Sequence, residues 1–185
     1  AERLGRLAGS DYRGPLHGVP VSIKDLIDIA GVPTTAASRV TGRAPATSDA
    51  PVVARLRAAG AILIGKCNLH EFAFGTTGEN SSHGQTLHPR DPNRSPGGSS
   101  GGSAVSIATG MAFATLGTDT GGSIRIPAAA CGLVGLKPTF GEVSCDGVVP
   151  LAPSLDHVGP LTRCVRDARL VYRAIRDHQG SESTP

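Results

Sequence analysis

The chain has 185 residues and a mass of 18.8 kDa, with 39% apolar and 18% charged residues, which predicts one domain with its own core and excludes intrinsic disorder. Its 25 Gly and 14 Pro follow no collagen-like period and point to a loop-rich α/β protein. A net charge of +3 with no basic run longer than two, and 3% aromatic residues with no Trp, argue against a direct nucleic-acid partner.

No apolar run approaches 18 residues, so no membrane span is expected. The start AERLGRLAG has no apolar segment of the kind a signal peptide needs, and it reads as the tail of a helix. Val19 to Ile23 then reads as a short strand that delivers Lys24 at its end. Ser48 is the expected N-cap of a helix over 49–59, with Pro51 in its first turn and Gly60 as its stop. The continuous apolar run AILIGK, residues 61–66, reads as a buried strand.

Residues 75–99 are almost all turn formers, and so long a loop is uncommon unless it serves a function. A helix is expected over 101–110, a strand over 112–117 and a Gly-rich turn over 118–123. A helical or irregular segment and a strand at LVGLKP, residues 133–138, follow. The last helix is expected over 163–178, with Thr162 as N-cap and a stripe of Val165, Ala168, Val171, Tyr172 and Ile175. Arg163, Arg166, Arg169, Arg173 and Arg176 fall on its outer face, read as solvated. Residues 179–185 read as a flexible tail.

Cys67, Cys131, Cys145 and Cys164 lack zinc spacing and read as free buried thiols in a reducing, cytoplasmic compartment. His17, His70, His83, His88 and His178 have no metal-ligand spacing either. No metal or organic cofactor is expected.

Three segments carry chemistry. Only three of the 18 basic residues are Lys, namely Lys24, Lys66 and Lys137. Arg cannot lose its proton in a protein, whereas a buried Lys can, so Lys24 at a strand end is a candidate base. The competing reading pairs Lys24 with Asp25 or Asp28. The second segment, PGGSSGGSA at 96–104, could gather backbone N–H groups around an anion or act as a flexible linker. It contains G-x-S-x-G, but DPNRSP before it cannot be the strand that a nucleophile elbow needs. In the third, GTDTGGSIRIPA at 117–128, Ser123 follows two glycines. The amides of Thr120, Gly121, Gly122 and Ser123 could form an oxyanion hole, or the turn could simply bury a hydrogen-bonded serine.

Taken together these segments resemble the amidase signature family of serine hydrolases. GGSSGGSAVSIATGMAFATLGTDTGGSIRIPAAACGLVGLKPT lies on the family's signature, and RGPLHGVPVSIKDLIDIAG resembles the segment with its catalytic lysine. GKCNLHEFAFG and SLDHVGPLTR are also similar to family segments. The resemblance covers about residues 12–178, with 24 positions between Ser99 and Ser123 and 75 between Lys24 and Ser99. It implies a mixed β-sheet flanked by helices (a partial amidase-signature α/β fold). It implies Ser123 as nucleophile, Ser99 as bridging serine after a cis peptide, and Lys24 as general base. Asp119 and Arg125 would brace the turn by pairing, with Ser100 as a supporting hydroxyl and Asn68 as a structural polar residue.

The implied reaction is hydrolysis of a small-molecule amide, with ester hydrolysis as a side activity. Membership of a tRNA-dependent amidotransferase complex is one form of it, in which a partner protein handles the RNA. Family members are more than twice this length, and the chain has no initiator Met. Residues 1–185 therefore read as a single domain that is a fragment of a longer enzyme, a reduced natural version, or a chain that pairs with another, and an exposed sheet edge would favour a homo-oligomer of a stable chain. Two other readings compete. One is an α/β-hydrolase with Ser99 as nucleophile, Asp146 or Asp156 as acid and His157 as base. The other is a truncated, non-catalytic fragment or subunit that keeps the motifs.

Overall fold

The structure, a computed structural model, describes residues 12–177. Five strands form one mixed sheet in the order β2-β1-β3-β5-β4. These are β1 (Pro20–Lys24), β2 (Ile62–Cys67), β3 (Ala114–Asp119), β4 (Val134–Gly135) and β5 (His157–Thr162). β1 runs parallel to both β2 and β3, whereas β5 runs antiparallel to β3 and β4. Among the described residues four α-helices flank the sheet: α1 (Pro51–Ala58), α2 (Gly101–Ala108), α3 (Arg125–Cys131) and α4 (Val165–Ile175).

Alternation along the strands divides the sheet into two faces. Val21 and Ile23 of β1 and Ala114 and Leu116 of β3 enter the main core. There they meet Val52, Val53 and Leu56 of α1 and Val171 and Ile175 of α4. Ser22 points the other way and its hydroxyl meets that of Ser106 on α2 at 2.9 Å. Ala104, Ile124, Ala128, Cys131 and Leu161 form a smaller cluster around α2 and α3.

Several boundaries differ from the sequence expectation. Ser48 does not cap α1. The chain enters at Ala50, with Pro51 in the first turn, and the carboxylate of Asp49 instead accepts from Ala30 N–H and Arg57 Nε. β2 is an edge strand rather than a buried one, and Ile62 and Ile64 are 39% and 47% exposed. The strand expected over 133–138 keeps only two residues. α4 begins after Cys164, and Thr162 Oγ1 donates to the Cys164 carbonyl rather than capping the helix. Val165 is exposed, so the buried stripe is Ala168, Val171 and Ile175. Cys164 is exposed and Cys145 half-buried, which corrects the reading of four buried thiols. The expected N-terminal helix tail, the end of the last helix at 178 and the tail at 179–185 lie outside the described residues.

β5 has no counterpart in the sequence reading, which places no element in this stretch; its central Gly159-Pro160 pair is of the kind that generally marks turns. Both residues serve the sheet. Pro160 pairs opposite Leu116, and its carbonyl accepts from Leu136 N–H at 3.0 Å. Gly159 lies against the chain beside it, where a Cβ would come within 2.1 Å of the Leu136 carbonyl oxygen. Gly159→Ala is therefore expected to push β5 and the 136–138 segment apart. A loss of about 3 kcal/mol in unfolding free energy is expected, measured by denaturant titration. An unchanged midpoint would contradict this packing.

Candidate active site

The C-terminal ends of the neighbouring parallel strands β1 and β3 lie side by side at one end of the sheet, where α/β folds gather their ligands. Lys24 ends β1 and is fully buried. Its Nζ donates to Ser99 Oγ and to Thr118 Oγ1, both at 2.7 Å. Neither Asp25 nor Asp28 pairs with it. Asp25 forms its ion pair with Lys66 at 3.0 Å, and Asp28 accepts from the Thr34 hydroxyl. Burial strips the Lys24 ammonium of water and lowers its pKa from the ordinary 10.5 to about 7, against the opposing pull of the Asp119 and Asp156 carboxylates.

Ser99 and Ser100 are also fully buried, which rules out a flexible linker for the Gly/Ser segment. The Gly98–Ser99 peptide is cis. Gly98 fits because a Cβ there would stand 2.9 Å from Gly78 N and 3.0 Å from Thr76 C. Ser100 ties the segment to β3 and to the second Gly-rich turn. Its Oγ donates to the Thr118 carbonyl at 3.2 Å, and its N–H donates to the Ser123 carbonyl at 3.2 Å. Asn68 holds the long 75–99 loop in place, donating to Gly84 O and Thr86 Oγ1 and accepting from Ser81 Oγ.

The turn after β3 is organised by Asp119, whose side chain is fully buried. Oδ1 accepts from Gly122 N–H at 2.8 Å, and Oδ2 accepts from the Ile124 and Arg125 amides. Arg125 adds a bidentate pair, Nε to Oδ2 and Nη2 to Oδ1, each at 3.0 Å. Burial alone would raise the pKa of this carboxyl, but the Arg125 guanidinium and the two amides outweigh it and hold it below the usual range.

Gly122 N–H is thus already spent on Asp119, which removes it from the four amides expected to form an oxyanion hole. The amides of Thr120, Gly121 and Ser123 have no hydrogen-bond partner among the described residues. Gly121 is exposed, and Ser123 is buried with 7% of its surface accessible.

His157 does not approach Ser99. Its Nδ1 lies 2.6 Å from the Leu155 carbonyl and 3.1 Å from that of Asp119, and its Nε2 lies 3.2 Å from Lys137 Nζ. Asp156 accepts from Thr120 Oγ1 and the Leu151 and Ala152 amides, while Asp146 is exposed. No strand leads directly into Ser99, since β2 ends at Cys67. The α/β-hydrolase arrangement of Ser99, His157 and an Asp is not assembled.

Two contacts of this site are not readable from the sequence: Thr118 receives the Lys24 amine, and Asp156, considered only as the acid of the α/β-hydrolase reading, instead tethers Thr120. Each belongs to a segment already singled out, but nothing in the residue types alone ties them to Lys24 or Thr120. Among the described residues no helix is long and apolar enough to cross a membrane.

Known proteins match this chain along its whole length. The Amidase family model matches residues 1–185. A glutamyl-tRNA(Gln) amidotransferase subunit of Anaeromyxobacter dehalogenans is 55% identical over 97% of this chain and 36% of that protein. The crystal structure of the corresponding glutamyl-tRNA(Gln) amidotransferase subunit from Thermotoga maritima superposes with a TM-score of 0.87 at 48% identity. The match covers 91% of this chain and 37% of that one. The peptide amidase of Stenotrophomonas maltophilia superposes with a TM-score of 0.86 at 44% identity over all of this chain and 38% of that one. The chain thus spans little more than a third of the length of these relatives. It belongs to the amidase family, the amidase-signature enzymes.

Proposed function

We propose that this chain carries the acyl-transfer centre of an enzyme that hydrolyses carboxylic amides at linear C–N bonds, with esters as secondary substrates. The observation that carries the reading is Lys24: a fully buried amine on two hydroxyls, with a pKa near 7. A solvated lysine is almost never neutral at pH 7 and cannot serve as a base there.

In this reading the neutral Lys24 amine keeps one N–H on Thr118 Oγ1 and turns its lone pair to Ser99. Ser99 gives its proton to Lys24 and takes that of Ser123. Ser123 Oγ then forms a bond to the substrate carbonyl carbon. Charge gathers on the carbonyl oxygen, within reach of the unpaired amides of Thr120, Gly121 and Ser123. When the C–N bond breaks, the amine leaves with a proton from Ser99, which Lys24 replaces. Water repeats the sequence in reverse to release the carboxylic acid. An amidotransferase subunit and a peptide amidase stand among the relatives, which supports an amide substrate.

One observation favours a second reading, in which this chain is a piece that needs further chain or a partner to become active. It covers only 36% of the amidotransferase protein that it matches. The pH profile separates the two. The first reading expects acylation of Ser123 by an activated ester to rise through an acid limb near pH 7 and then level off, because the protonated amine cannot accept a proton. Pre-steady-state kinetics between pH 5 and 9 check this. Absence of acylation at every pH would favour the second reading.

A further inference from the structure

Among the unpaired amides of the turn, the one at Thr120 belongs to a residue whose side chain is also held. Thr120 Oγ1 donates to Asp156 Oδ1 at 2.5 Å. Asp156 is itself fixed. Its Oδ2 accepts from Leu151 N–H at 2.9 Å and Ala152 N–H at 3.0 Å, and its own N–H donates to the Ala152 carbonyl at 2.9 Å. The next residue, His157, lies with its Nδ1 3.1 Å from the Asp119 carbonyl and pairs opposite Asp119 in the sheet.

The turn is therefore gripped on both sides of Gly121. Asp119 holds the Gly122 amide on one side, and Asp156 holds the Thr120 hydroxyl on the other. Gly121 has no side chain, is exposed, and has open space where a Cβ would stand. Its amide can be aimed only through its neighbours. A donor that stabilises a developing oxyanion is effective only if it is already in place when the charge appears.

We infer that Asp156 is a positioning residue for acylation: through the Thr120 hydroxyl it fixes the direction of the Thr120 and Gly121 amides toward the reacting carbonyl oxygen. The inference rests on the amide-hydrolase reading above. A purely structural role for Asp156, as a brace of the 151–156 turn, needs no contact to Thr120 and predicts no effect of the Thr120 hydroxyl on chemistry.

Asp156 also faces Lys24 electrostatically, as does Asp119, and both carboxylates favour the charged amine. This makes the two ends of the contact distinguishable. Thr120→Val removes the hydroxyl and no charge. Asp156→Asn removes a charge but retains size and an acceptor.

The test is the rate of Ser123 acylation by an activated ester, saturated and followed from pH 5 to 9, in the parent, Thr120→Val, Thr120→Ser and Asp156→Asn. The protein is the longest natural chain that contains these residues. Thr120→Val is expected to lower the maximal acylation rate about tenfold or more with the half-saturating concentration unchanged. The acid limb should stay in place, and Thr120→Ser should recover most of the rate. Asp156→Asn is expected to slow acylation and move the acid limb to lower pH. Parent-like rates in Thr120→Val, or a loss that Thr120→Ser fails to recover, would overturn the inference while leaving the serine hydrolase reading intact. A parent that never acylates Ser123 would overturn that reading and this inference with it.

Discussion

Replacing Lys24 by methionine is expected to lower amide hydrolysis by about 10⁴-fold, the upper range for loss of a positioned general base. The same change should make the protein more stable in mild acid. The shift of the Lys24 amine from 10.5 to about 7 reflects a desolvation cost of roughly 5 kcal/mol in full force below pH 7. The sign follows from proton counting. Between pH 7 and 10.5 the unfolded chain binds the proton that the folded chain has released, so this group's contribution to stability rises with pH across that window. Below pH 7 both states are charged and the folded one bears the penalty. Methionine removes the charge but leaves Ser99 and Thr118 without their partner, which returns part of the gain. A net rise of about 1–3 kcal/mol at pH 6 is expected from denaturant titration. Full activity in Lys24→Met would end the assignment of Lys24 as base.

Asp119→Ala should harm both fold and chemistry. The side chain is fully buried and answers three amides and a guanidinium. Removing it strands the Gly122, Ile124 and Arg125 N–H groups and leaves the turn before Ser123 without its hub. A cost of about 3–5 kcal/mol is expected for breaking such a buried charged network. Arg125 is half-exposed and its own share is smaller, since solvent screens it. Ser123 acylation should fall by at least about 10²-fold, as for loss of oxyanion donors. Asp119→Asn provides the companion measurement: if it restores stability but not the acylation rate, the carboxylate has an electrostatic role beyond bracing. Wild-type stability in Asp119→Ala would contradict the network.

Much of this was legible from residue types. The end of β1 at Lys24, the start of α2 and the Gly-rich turn after β3 follow from strand patterning and Gly/Ser punctuation, whereas the segment that becomes α3 reads equally as helix or irregular chain. The scarcity of lysine made Lys24 a candidate beside an ordinary ion pair to Asp25 or Asp28, and the resemblance to the amidase signature decided between them. The surroundings of Lys24 were not legible. Nothing local tells that Asp25, the next residue, turns to Lys66, or that Thr118 receives the Lys24 amine from 94 positions away. β5 was hidden because Gly159 and Pro160 mark turns in isolation, whereas the sheet uses one for close approach and the other for its carbonyl. Ser48 looked like a cap, but its neighbour Asp49 is engaged elsewhere and Pro51 alone sets the helix start. The edge position of β2 was equally invisible, because an apolar run carries no information about which neighbours exist. The spent amide of Gly122 could not be anticipated either, since it depends on where the Asp119 side chain turns.

The central claim is that Lys24, Ser99 and Ser123 form one acylating unit. The most direct test is intact-mass analysis of the purified chain after exposure to a fluorophosphonate serine probe, with Ser123→Ala and Lys24→Ala treated in parallel. The account predicts one adduct on the parent, mapped to Ser123, and none on either variant. An adduct that persists in Lys24→Ala at the parent rate, or that maps to Ser99, would contradict it.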